Sequence, residues 1–250
     1  MKFQYFHVAG TVYPGRICYF CVEIFQDGLA AFSTALKGEV FMSIINELAC
    51  KKEIKSDVPN QELARKLVEE NNTEGIKDVV DNLWNKDKKI QSDCIKVLYE
   101  VGYLKPELIS EYVFDFLKLL KSKHNRLVWG GMIALSTISS IKAQVIYDNL
   151  DSIYSAIKDG SVITIDNGIK TLAKVAAENH PYNKEIFPYL INHLKTCRPK
   201  DLPQHSESVF VCVKDENKQE YLSVLKERED NMTPSQLKRI NKIYKALDSR

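Results

Sequence analysis

No stretch of this 250-residue chain is apolar for long enough to cross a bilayer; the most apolar run, residues 17–32, is interrupted by Glu23 and Asp27. The first residues, Met-Lys-Phe-Gln-Tyr-Phe-His, lack the basic start, continuous apolar stretch and small-residue cleavage site of a secretory signal. The expected location is therefore the cytoplasm, with no membrane partner. Excess charge is missing as well. Thirty-five Lys and Arg against 33 Asp and Glu give a formal net charge of +2, too small to imply nucleic acid by itself, so any basic surface must come from local arrangement. Cysteine is sparse: the six residues at 18, 21, 50, 94, 197 and 212 do not make a disulfide framework. Four of them fall in helical patterns, where buried thiols are common, and that favours a reducing compartment. A phosphate-binding glycine loop is absent too. Trp129-Gly130-Gly131 lies inside a helical pattern, where small residues allow close helix packing.

What is present fits a soluble globular protein, with 44% hydrophobic and 27% charged residues. The chain has regions of different character. Residues 1–41 hold only six charged residues and nine of the 22 Phe and Tyr residues; residues 17–22 have strand-like composition, and residues 11–16 read as a turn. Residues 37–42 can be encoded with a purine-rich ribosome-binding sequence ahead of the Met42 codon, if the source is bacterial. Residues 1–41 are therefore either an atypical N-terminal segment or leader from a mis-assigned gene start, and they are kept out of the fold reasoning. Mass spectrometry of the native N-terminus separates the two.

From residue 43 the pattern is helical almost throughout, with breakers at Asp57-Val-Pro-Asn60, Lys105-Pro106, Asp159-Gly160, His180-Pro181 and Arg198-Pro199. Thr73 and Ser161 supply hydroxyls at helix starts, and Thr233-Pro234 places proline at a first helical position.

Sliding the sequence against itself reveals one dominant offset, 37 residues. Three apolar columns come from a first helix, A: Ile76, Val113, Leu150, Phe187; Val79, Phe116, Ile153, Leu190; and Leu83, Leu120, Ile157, Leu194. Three come from a second, B: Ile95, Met132, Ile169; Leu98, Leu135, Leu172; and Val101, Ile138, Val175. Spacing of three or four residues within each helix places every set on one face. A helical pair with one apolar face each cannot bury it alone; stacked pairs build a continuous core. The expected A helices are 73–86, 106–122, 143–158 and 182–196, and the B helices 88–103, 125–141 and 161–179. Forward projection reaches Ser206, Val209 and Cys212, so the pattern fades after Cys197. Helices near 203–213, 216–229 and 234–248 are expected to close the stack, and residues 43–54 and 60–71 to form an irregular capping pair.

The stretch Ser122-Lys-His-Asn-Arg-Leu-Val-Trp-Gly-Gly-Met-Ile-Ala-Leu135 resembles the turn and second helix of bacterial HEAT-like (armadillo-type) repeat proteins. The resemblance covers roughly residues 61–213. It implies an all-α, right-handed α-α superhelix of about four helical-hairpin repeats within a domain spanning 42–250, the repeats over 73–213 and a C-terminal cap over 214–250. That family includes scaffolds, adaptors, phycobilin-lyase-type subunits and a branch of DNA alkylpurine glycosylases.

Candidates for chemistry are few. The five histidines (7, 124, 180, 193, 205) show no His-x-x-x-His or Glu-x-x-His spacing, and His193 reads as a helix-face residue. Cys18-Tyr-Phe-Cys21 has the spacing of half a zinc site, but no second pair follows. No metal or cofactor is expected, and no catalytic residue is assigned. The register does align cations at the turns: Lys121, Lys158 and Lys195 in one column, Lys89, Arg126 and Lys200 in another broken by Ile163, with Lys86, Lys88, Lys123, His124 and Arg198 beside them. This is either an anion-binding ridge or the ordinary lysine-rich turns of a soluble repeat protein, and the second explanation is favoured. B helices normally line the inner face of such a stack. Arg126, Trp129, Asp166 and Asn167 are accordingly the partner-binding candidates, Trp and Arg being preferred interface anchors. Trp129 is equally explained by packing on a neighbouring helix, and Arg126 and Asp166 by an ion pair between repeats. The segment 196–205, with two prolines, either carries function or simply ends the stack. The reading is a non-enzymatic scaffold whose partner is another protein. A nucleic-acid-binding protein or a glycosylase-type enzyme is the alternative, with Asp166 its one acidic candidate on an inner helix, and a pigment-lyase-type subunit comes third.

Overall fold

A computed structural model describes residues 43–249, and the N-terminal segment 1–41 lies outside the described residues. Among the latter the secondary structure is entirely helical. A 3-10 turn, Ile44–Glu47, precedes α1 (Val58–Glu69), so the first half of the expected N-terminal capping pair is not a helix beyond Glu47. Residues 48–54 are pinned by side chains: Asn60 Oδ1 accepts from Ala49 N at 3.0 Å and Asp93 Oδ2 from Cys50 N at 2.8 Å.

The B layer consists of α3 (Lys88–Leu104), α5 (Asn125–Ile138), α8 (Val162–Glu178) and α10 (Leu202–Val209), the last prolonged by a 3-10 turn, Phe210–Cys212. In the A layer lie α2 (Thr73–Asp81), α4 (Val113–Leu119), α6 (Ala143–Tyr147), α7 (Leu150–Lys158) and α9 (His180–Thr196). The chain ends in α11 (Lys218–Glu227) and α12 (Pro234–Asp248). B helices pack in sequence order, α1 on α3, then α5, α8, α10 and α12, while α2, α4 and α7 lean on α3, α5 and α8.

Every residue of the six apolar columns is buried, Leu120 being the most exposed at 8%. The projected continuation is buried as well: Ser206, Val209 and Cys212 are each at 0%. Register therefore persists where the hydrophobic pattern fades. The Ser206 hydroxyl donates to Leu202 O at 2.7 Å, and its carbonyl accepts from the Tyr221 hydroxyl at 2.7 Å, so a polar residue is satisfied within the core.

The first three A helices differ from expectation in being broken, whereas α9 is continuous over the expected 182–196. Residues 106–112 form a 3-10 turn before α4, and α6 and α7 are separated at Asp148 and Asn149. Asn149 has φ −122° and ψ 25°, and its side-chain amide donates to Val145 O at 2.8 Å, competing with the backbone ladder. Ser161 caps α8 through Thr164 N, and Thr233 with Gln236 forms a reciprocal capping box on α12. At α2 the cap is Asn72, whose Oδ1 accepts from Gly75 N at 2.8 Å; Thr73 is already the first helical residue.

Candidate functional site

The four partner-binding candidates fall into two neighbouring clusters on the B layer. In the first, Trp129 is half-buried against Tyr99, ring centroids 6.1 Å apart. The Arg126 guanidinium stands 5.3 Å from the centre of the Trp129 ring, within range for cation–π attraction. Asp57 lies between the two cations of this group, 3.6 Å from Arg126 Nη2 and 3.7 Å from Lys96 Nζ. Lys96 also donates to Glu100 at 2.6 Å and sits 4.8 Å over the Tyr99 ring. Trp129 is thus a packing residue that keeps an accessible edge.

The Arg126–Asp166 ion pair, the alternative explanation of these two residues, does not form. Arg126 pairs with Asp57, on the N-terminal side, and Asp166 accepts from His205 Nε2 at 2.8 Å, on the C-terminal side. The direction of the stack decides this, because each candidate finds its partner in the repeat away from the other.

The second cluster is a groove of about 390 Å³ between α8 and α10, lined by Asp166, Asn167, Lys170, Lys174, Gln204 and Glu207 among others. Asn167 is tied to α8 through Ile163 O at 2.9 Å, and its Oδ1 meets the Ser136 hydroxyl at 3.5 Å. Lys174 donates to Ser136 O at 2.7 Å, and burial, followed by the Lys170 charge, pushes its ammonium pKa down. Among the described residues no carboxylate lies within ion-pair distance of Lys170 or Lys174. Glu207, in the same groove, is held bidentately by Arg239 at 2.6 and 2.8 Å. The groove therefore presents two cations that no carboxylate of the described residues neutralises.

On the turn side, Lys89, Lys121, Lys123, Lys158, Lys195, Arg198 and Lys200 are exposed, and Arg126 is only partly so. Aspartates interleave with them. Asp87 caps α3 beside Lys86, Lys88 and Lys89, Asp159 follows Lys158, and Asp201 binds Arg198 at 2.5 Å. The ridge is therefore of mixed charge.

One constellation is absent from the sequence reading. His193 Nε2 and His205 Nδ1 are 2.9 Å apart, and Cys197 joins them in a group whose ligand-type atoms all lie within 4.8 Å. His205 is 1% exposed. Burial, then His205, pushes the His193 imidazole down to about 4, so it is neutral at physiological pH. Burial also raises the Cys197 thiol, against the pull of Arg228, whose Nη1 is 3.8 Å from the sulfur and donates to Leu194 O at 2.7 Å. Motif spacing misses the group because the turn between α9 and α10 supplies the proximity. The 37-residue register was the available signal: it places His193 opposite Leu119 and Ala156, and His205 opposite Gly131 and Gly168.

The sequence matches no protein-family model and no curated protein. Solved structures do match. A designed armadillo repeat protein in complex with the peptide (KR)4 superposes with a TM-score of 0.58 at 15% identity, over 74% of this chain and 86% of its own. A mutant of Kap121p gives 0.60 at 15% identity over 80% of this chain, which spans 22% of Kap121p. The fold is the armadillo/HEAT-type repeat solenoid. An engineered protein matches this solenoid over 84% of the chain and 99% of its own length, with a TM-score of 0.56 at 15% identity. Identities this low establish architecture and leave activity to the residues on the solenoid's surface. Among the described residues no helix is long and apolar enough to cross a membrane.

Proposed function

We propose that the solenoid is a non-enzymatic scaffold that binds an extended, carboxylate-bearing segment of a partner protein along its B layer. The observation that carries this reading is the half-buried Lys170–Lys174 pair, which has no carboxylate partner among the described residues and lies in a groove beside Asn167 and Gln204. Two like charges one turn apart destabilise a helix slightly unless something outside it compensates. Packed helices stand about 8–10 Å apart, the length of about three extended residues, so a strand-like segment crossing the layer meets one B helix every third residue or so. Asn167 offers an amide to such a backbone, and Trp129 with Arg126 offers an anchor one helix away. The related architecture binds the basic peptide (KR)4 in the designed armadillo complex and Pho4p in a Kap121p complex, and peptide recognition is the purpose stated for another designed armadillo protein; these support binding of a peptide, and the acidic preference rests on Lys170 and Lys174 alone.

The glycosylase-type alternative has Asp166 as its one acidic candidate, and that carboxylate accepts from His205 Nε2 at 2.8 Å. Selection of random peptides displayed against the folded protein tests the proposal. Enrichment of acidic sequences is expected, with Lys170→Glu raising their Kd at least about tenfold (~1.4 kcal/mol). Peptides that bind the wild-type and Lys170→Glu proteins equally, or the absence of any enriched sequence, would overturn it.

A further inference from the structure

We infer that His193, Cys197 and His205 form a binding site for a borderline-soft divalent metal, zinc being the ion that suits two imidazoles and a thiolate. The first argument is positional. In the second repeat the equivalent residues are Leu119 and Gly131, and a Cβ on Gly131 would lie 3.0 Å from Leu119 Cβ, so this is a point of close apolar contact between the layers. In the third repeat the pair is Ala156 and Gly168. In the fourth it becomes two histidines, one of them 1% exposed, with a cysteine one helical turn beyond the other. An apolar contact is thus replaced by two imidazoles that meet at 2.9 Å, beside a thiol, where the second and third repeats place no imidazole or thiol.

The second argument is the donor geometry. Tetrahedral zinc with bonds of about 2.0–2.3 Å sets neighbouring N and S ligands about 3.3–3.7 Å apart. Here the two imidazole nitrogens are 2.9 Å apart and the widest separation in the group is 4.8 Å, so shifts of roughly an ångström bring the three ligands together. His205 meets a further requirement. Its second nitrogen, Nε2, donates to Asp166 Oδ1 at 2.8 Å, the carboxylate–histidine arrangement that orients an imidazole toward a metal. That bond places the His205 proton on Nε2 and leaves Nδ1 with a lone pair facing His193. On metal binding the His193 proton moves to Nδ1 and the Cys197 proton passes to solvent. A pocket of about 380 Å³, bordered by Asp201, meets the three ligands and provides the fourth position for a water molecule or a carboxylate oxygen. The ion would clamp the C-terminal turn of α9 to α10, and through Asp166 to α8.

Cobalt(II) substitution of the full-length, metal-stripped protein tests the site, since a thiolate ligand gives a sulfur-to-cobalt charge-transfer band and a tetrahedral site intense visible bands. Both are expected at one equivalent and should be bleached by zinc. Cys197→Ser should abolish the charge-transfer band while far-ultraviolet circular dichroism stays helical, and a Cys18→Ser/Cys21→Ser variant should keep it. Asp166→Asn should retain the spectrum and weaken zinc affinity about 10–100-fold. A folded wild-type protein without the band, a band that survives Cys197→Ser, or one that disappears with Cys18 and Cys21 would overturn the assignment.

Discussion

Gly168 lies where an added methyl group would fall 2.5 Å from Cγ1 of Ile157, itself 4% exposed. Gly130 meets Ile95 Cγ1 at 2.6 Å in the same way. These glycines are close-approach positions in the middle of helices, which accounts for their tolerance of a helix-propensity penalty of about 1 kcal/mol. Gly168→Ala is accordingly expected to destabilise by about 1–2 kcal/mol through overpacking, whereas the same change at an exposed helical site stabilises. Urea denaturation of the variant measures this, and a gain in stability would refute the packing argument. Small residues inside a helical pattern were legible in the sequence; the neighbour each one accommodates was not. The same holds for Trp129, whose candidacy as both anchor and packing residue came from its position, and whose half-buried contact with Tyr99 required the adjoining helix.

Elements followed local rules closely on the B layer and less so on the A layer. Long B helices carry uninterrupted apolar periodicity, and α3 and α8 fall within a residue or two of their expected limits. The first three A helices have the same periodicity, yet 3-10 turns and the Asn149 side chain divide them while α9 stays whole, because periodicity tracks the buried face and not the continuity of the backbone. At the C-terminal end, α12 is held to α10 by Arg239 and Glu207. The hydrogen bond from Arg239, outweighing burial, lowers the Glu207 carboxyl from its usual 4.5. A depressed carboxyl contributes stability above pH 4.5 that is lost as pH falls through the lowered value. Both side chains are more than 40% exposed, so the contribution is small. Glu207→Gln should cost about 0.2–1 kcal/mol at neutral pH in chemical denaturation, and the difference from wild type should vanish as pH falls through the lowered carboxyl value.

At the scale of the whole described unit, each helical pair touches only its neighbours, so the solenoid should tolerate shortening from one end. Ending the chain after Val213 removes α11 and α12, and with them the fully buried Tyr221 whose hydroxyl serves Ser206 O. The shortened protein should keep a cooperative helical transition with a lower urea midpoint, losing about 2–4 kcal/mol through the newly exposed ends of α9 and α10. Complete loss of helicity would show that the C-terminal pair is required for folding and not a cap. The repeat itself was determined by sequence alone: the 37-residue offset, the buried columns and the order of the layers follow from apolar spacing along one chain, which reports which face is buried. What lies across that face was decided only by the tertiary structure. The partners of Arg126 and Asp166, the half-buried charge at Lys170 and Lys174, and the meeting of His193 with Cys197 and His205 depend on distances between helices, and hydrophobic periodicity carries no information about those.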